Sequence, residues 1–180
     1  MKLANLKPPL SESDVKRLRA GDMVSVSGKI VTARDNAYAR VLSNGKPPLD
    51  LRCSVVYHCG PLAKKTGKKW RILSAGPTTS ARLDGMQEKF VKLTGVRALI
   101  GKGGVSEDVA NRLARLGCVY LAFTGGAGVV GVKAIKNVEK IFWPELGTAE
   151  AMWVLHVEDF GPLVVAIDTR GKNLYAHSKR

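Results

Sequence analysis

Thr78, Thr79, Ser80 and Arg82 stand together directly after a β-rich run, and Lys102 returns inside a glycine turn at the far end of the stretch 76–104. These residue types suit an anion. A helix N-terminus presents unpaired backbone N–H groups and the positive end of a dipole, and a glycine turn lets backbone come close to a ligand. Arg82 adds a planar fork matched to a carboxylate, and Lys102 adds a point charge. Taken singly, each motif has a plainer explanation: GPTTS as a helix cap and GKGG as a strand-end turn. Arg34 beside Asp35 reads, on composition alone, as a solvated surface pair. Cys53, His58 and Cys59 are of metal-ligating type, but zinc and iron–sulfur sites need paired close spacings and a fourth ligand, which this stretch lacks. Buried thiols are the better reading, and no metal site is expected on this chain.

The totals narrow the classes. A chain of 180 residues can bury a core without disulfides, and three cysteines with no repeated spacing argue against a disulfide framework. No apolar run reaches the length of a membrane span and the start lacks the apolar region of a signal peptide, so a cytoplasmic protein is expected. The 29 basic against 15 acidic residues leave a net charge of +14, which asks for an anionic partner or ligand. Nucleic acid is the first suspect. Yet the densest basic run, Lys64, Lys65, Lys68 and Lys69, is expected in a loop, and at 6% aromatic content the chain is poorly supplied with the stacking side chains that single strands need. An acidic partner subunit and a small anionic substrate remain as alternatives.

The elements that must position these residues follow from periodicity. Residues 1–10, with Pro8 and Pro9, read as an arm lying on a surface, ahead of a single domain over 11–180. Ser11 caps a short helix ended by Gly21; a strand with period-two alternation begins at Asp22, and a short helix follows Arg34. Residues 53–57 read as a buried strand and 69–77 contain another. Leu83, Met86, Phe90 and Leu93 have helical spacing, closed by Gly95, and VRALIG is the next strand. Ser106 opens a second clean helix through Val109, Leu113 and Leu116, with CVYLAF as a strand behind it. The glycine-rich stretch 125–131 lacks the spacing of a dinucleotide fingerprint and is expected to serve close backbone packing. Trp143-Pro144 is a turn, and two strands joined at Gly161-Pro162 end the order. The fold class is α/β, with helices on a mixed sheet.

Six motifs in order, ARD at 33–35, YHCGP at 57–61, GPTTSARLD at 76–84, IGKGG at 100–104, WPELG at 143–147 and WVLHVEDFGPLVVAIDTRG at 153–171, closely resemble one family. It is that of the β subunits, or C-terminal domains, of class I iron–sulfur fumarases and L-tartrate dehydratases. The resemblance implies a swivelling β/β/α domain supplying half of a hydro-lyase site. It also implies a [4Fe-4S] cluster held by an α subunit rather than by this chain, and self-association through that complex. Residue by residue, it implies that Arg34, Arg82 and Lys102 bind the carboxylates of fumarate, malate or tartrate. Thr78 matches a threonine acting in proton transfer at carbon, with Thr79 beside it in the substrate-binding segment. The family often has His where this chain has Tyr38.

Overall fold

The computed structural model describes residues 4–67, 69–124 and 128–176. Its centre is a seven-stranded sheet. Strands β1 (Ala4–Leu6), β2 (Met23–Thr32), β3 (Val55–Tyr57), β6 (Ala98–Gly101) and β7 (Val119–Ala122) run parallel, β9 (Met152–Ile167) runs against them, and β8 (Ile135–Phe142) pairs antiparallel with β9, in the order β1-β2-β3-β6-β7-β9-β8. Strand β9 also pairs with β2, so β2, β3, β6, β7 and β9 close into a ring of hydrogen-bonded neighbours. A closed ring leaves its strands no open edge.

The short parallel strands are apolar throughout because both of their faces are buried. Consecutive residues alternate between two hydrophobic clusters. Tyr57, Ile100 and Leu121 join one, with Val26, Trp153, Phe160 and Val165, while Val56, Leu99 and Tyr120 join the other. The second cluster is covered by helices α2 (Asp35–Asn44), α3 (Asp84–Thr94) and α4 (Glu107–Arg115), through Tyr38 and Val41, Phe90 and Val91, and Val109 and Leu113. Helix α1 (Glu12–Lys16) starts at a capping box between Ser11 and Asp14. Gly45 and Gly95 end α2 and α3 in the left-handed conformation, and Ser106 caps α4. Among the described residues no helix is long and apolar enough to cross a membrane.

Several expectations need correction. Residues 4–6 pair with β2, and Leu6 and Leu10 are buried in the core, so the segment expected as a surface arm contributes to it. Cys53 lies outside β3 with φ of 61°, and the strand begins at Val55. The basic segment is no loop: β4 (Leu62–Thr66) and β5 (Lys69–Ser74) form a separate two-stranded hairpin, with Lys68 outside the described residues. Leu93 is exposed; Gln87, Phe90, Val91 and Thr94 are the buried positions of α3. Of the glycine-rich stretch, residues 125–127 lie outside the described residues and Gly128–Ala134 form helix α5. The two final strands are one, β9, which bends and exchanges its neighbour from β8 to β7. Strand β8 has no counterpart in the sequence reading. Its Ile135, Val138 and Ile141 recur every third residue because register irregularities fall between Ile135 and Asn137 and between Val138 and Lys140.

Candidate active site

Parallel strands in α/β folds carry their ligands just beyond their carboxyl ends. Here Arg34 lies two residues beyond β2, His58 directly follows β3, and Lys102 directly follows β6. The segment carrying Thr78 is bonded into the same edge. Thr78 N and Thr78 Oγ1 both donate to His58 O, at 2.7 and 3.1 Å. Lys102 N donates to Thr78 O at 3.0 Å, and Ser80 N donates to Lys102 O at 3.1 Å. Thr79 therefore bridges Lys102 in parallel fashion, and both side chains are exposed. The glycine turn and the hydroxyl segment, 22 to 24 residues apart in the chain, are one backbone unit.

The two arginines meet on a carboxylate. Arg82 Nη2 donates to Asp35 Oδ2 at 3.3 Å, and Arg34 Nη2 lies 3.9 Å from the same oxygen. Glu150 also faces Arg34, its Oε1 3.3 Å from Nε, while its Oε2 accepts from Asn36 N at the start of α2. Arg34 Nε is buried and has no aligned hydrogen-bond partner. At 19% side-chain exposure, Arg34 is not the solvated surface residue that composition suggested. Gly60 makes room for it, since an added Cβ there would lie 2.6 Å from Arg34 Nη1. Arg82, at 58% side-chain exposure, is free to turn to a ligand because an exposed ion pair contributes only about 0–1 kcal/mol. Among the described residues no carboxylate lies within ion-pair distance of Lys102. A cavity of about 320 Å³ opens beside Lys102, Phe123, Thr124 and Tyr175, and its lining does not include Arg34, Thr78 or Arg82.

Two elements of the expected anion site are not available. Ser80 is buried, with its hydroxyl bonded internally to His58 and Tyr120. A 3-10 turn, Ser80–Leu83, precedes α3, and Asp84 puts the chain's own carboxylate in the first turn of that helix, where it accepts from Ser106 N and Gln87 Nε2. The helix-cap explanation of the threonines fails as well: Thr79, at the N-cap position of that turn, makes no side-chain capping bond. Asp35, Glu150, His58 and Tyr120 belong to the site or its support and were not singled out for these roles from sequence.

Beneath the exposed groups Tyr38 Oη lies 2.8 Å from His58 Nε2, and His58 Nδ1 lies 2.8 Å from Ser80 Oγ. Burial pushes the His58 imidazole down to about 3, an effect only partly opposed by Asp35. The unfolded chain therefore takes up a proton below about pH 6.5 that the folded chain refuses until about pH 3. Stability is fully retained above that window and falls within it as pH falls, by about 1.4 kcal/mol per pH unit. Asp50, held at about 2 by its hydrogen bonds with Arg52, titrates lower. Urea midpoints should drop between about pH 6 and pH 5; a flat profile would show that His58 is not buried as a neutral ring.

Gly101 closes this packing. A Cβ there would lie 1.9 Å from Ser80 Oγ, 2.9 Å from Tyr120 Oη and 3.1 Å from His58 Nδ1. Gly101→Ala is expected to cost about 1–3 kcal/mol or more in a urea titration, and an unchanged midpoint would contradict the packing.

The described cysteines do not offer themselves as a ligand set. Burial pushes the Cys59 and Cys118 thiols up to about 12, the two lie in different hydrophobic clusters, and Cys53 is half-buried. Among the described residues no group of three or more His, Cys, Asp or Glu could hold a metal ion.

Comparison with known proteins bears on this edge. Residues 1–178 match the family described as fumarase C-terminus. A Methanocaldococcus jannaschii chain provisionally named L(+)-tartrate dehydratase subunit beta is 43% identical over 171 residues, covering 92% of this chain and 88% of that one. The Escherichia coli L(+)-tartrate dehydratase subunit beta is 36% identical over 176 residues, covering 97% and 88%. A Geobacillus stearothermophilus protein provisionally named fumarate hydratase class I is 38% identical over 175 residues, covering 97% of this chain and 34% of that protein. With the match spanning nearly its whole length, this chain belongs to the fumarase C-terminus family, which holds the β subunits and corresponding domains of class I fumarate hydratases and L(+)-tartrate dehydratases.

Proposed function

We propose that this chain is the β subunit of a cytoplasmic hydro-lyase acting on a four-carbon dicarboxylate, active only with an α subunit that holds a [4Fe-4S] cluster. The observation that carries the reading is the convergence of Arg34, Thr78, Arg82 and Lys102 at one edge of the parallel strands, in a chain of this family. A dianion needs two separated cationic grips. Arg34 and Arg82, sharing Asp35, take one carboxylate; Lys102, on the opposite backbone segment with Thr79 beside it, takes the other. Arg82 exchanges its weak contact with Asp35 for the substrate.

Thr78 is the group we assign to the proton at the reacting carbon. An uncharged hydroxyl is a weak base, so the role needs a cation that favours the alkoxide. Lys102, whose backbone is bonded to that of Thr78, supplies one. The exposed hairpin cations Lys64, Lys65, Lys69 and Arg71 suit an acidic face of the α subunit.

Between the two substrates, L-tartrate is at least as well supported as fumarate, since relatives matched over most of their length carry the tartrate name. The test is co-expression with the α subunit and assay of both reactions in one preparation. Oxaloacetate from L-tartrate, or malate from fumarate, supports the reading and settles the substrate. Neither product, together with salt-sensitive binding of polynucleotide, would overturn it in favour of a nucleic-acid-binding protein.

A further inference from the structure

The segment bearing Thr78 rests on a buried chain of polar side chains that the reaction itself does not use. Tyr38, His58 and Ser80 are fully buried, and Tyr120 lies at 0% exposure in the middle of β7. Four contacts join them in line: Tyr38 Oη to His58 Nε2 at 2.8 Å, His58 Nδ1 to Ser80 Oγ at 2.8 Å, Ser80 Oγ to Tyr120 Oη at 2.9 Å, and Tyr120 Oη to Gly103 O at 2.9 Å. A neutral imidazole and three hydroxyls bring four hydrogens to these four contacts.

Tyr120 is the donor in both of its contacts, so its one hydrogen serves Ser80 Oγ and Gly103 O. Removing a member of the chain leaves a neighbouring polar atom without its bond at a buried position, which is unfavourable.

The relay ends on the two segments that carry the exposed groups. Its serine lies two residues from Thr78, its last acceptor adjoins Lys102, and the backbone carbonyl of its histidine receives both the N–H and the hydroxyl of Thr78. We propose that Tyr38, His58, Ser80 and Tyr120 form one buried hydrogen-bonded relay and that it positions Thr78 and Lys102. Tyr38, His58, Ser80 and Tyr120 are thus positioning residues. The catalytic part of this assignment rests on the hydro-lyase reading; the relay does not.

The experiment has an arm for each. Amide exchange compares wild type with Tyr120→Phe, which removes one hydrogen, and with Tyr38→Phe as a second variant at the other end. Exchange at Thr78, Ser80 and Lys102 should rise about tenfold in Tyr120→Phe, with Ile30 and Val31 in β2 unchanged. No change at the three amides, or an equal rise in β2, would reduce the network to ordinary core structure and overturn the proposal. If wild type shows no dicarboxylate turnover with an α subunit, the hydro-lyase reading fails while the exchange results still decide the relay.

Discussion

With Lys102 or Arg82 replaced by alanine, the reconstituted enzyme is expected to lose roughly 10- to 200-fold in kcat/KM, with part of the loss in KM, as removal of a charge-assisted contact of about 1.5–3 kcal/mol requires. Both side chains are exposed, and neither is needed to hold the fold: among the described residues Lys102 faces no carboxylate within ion-pair distance, and Arg82 has only its exposed contact with Asp35. Their loss should leave thermal stability nearly unchanged. Arg34 differs, because its guanidinium lies half-buried between Asp35 and Glu150. Arg34→Ala strips those carboxylates of a partner and should lower stability together with activity, so Arg34→Lys is the informative variant. It keeps the charge and loses the fork. Lys64→Ala, on the exposed hairpin, is the control. Steady-state kinetics and melting curves on the same preparations check the pattern, and an Arg82→Ala or Lys102→Ala enzyme with unchanged kcat/KM would remove that residue from the site.

Thr78→Val should act on kcat. Valine preserves the shape and deletes the hydroxyl, so a group that works on the reacting proton is lost while the carboxylate grips remain. The expected fall in kcat is about 10²- to 10⁴-fold, the usual range for loss of an acid–base group, with KM little changed. Among the described residues the one side-chain bond of Thr78 is its 3.1 Å donation to His58 O, and losing a single bond of that kind costs about 1 kcal/mol. A variant with a lowered melting temperature and full kcat per folded molecule would make Thr78 a structural residue.

What could be read from the chain alone follows physical lines. Strand β2 and helices α3 and α4 announce themselves through local periodicity and through the Ser106 and Gly95 signals at their ends. Strand β8 is concealed because its register shifts convert a period of two into a period of three. The break placed at Gly161-Pro162 is a bend inside one long strand whose partners change along its length, which no local pattern reports.

At the candidate site, ordered motifs pick out Arg34, Thr78, Arg82 and Lys102, and the structure brings them to one edge of the parallel strands. Asp35 was legible as the neighbour of Arg34 but not as the partner of Arg82, and Glu150 was not legible at all, because the segments that meet there lie 47 and 116 residues apart in sequence. The relay hides for the same reason: its members are joined across 20, 22 and 40 residues. Its available signal was a histidine and a tyrosine set in apolar runs, at VVYHC and CVYLAF, where a polar group must find a buried partner.

The central claim is that this chain holds half of a site. Its most direct test is an anaerobic titration of the α subunit with this chain, followed by turnover of L-tartrate and fumarate. The account predicts no turnover by this chain alone, activity that appears on mixing, and saturation at one β per α. Turnover by the isolated chain at the rate of the complex would contradict it.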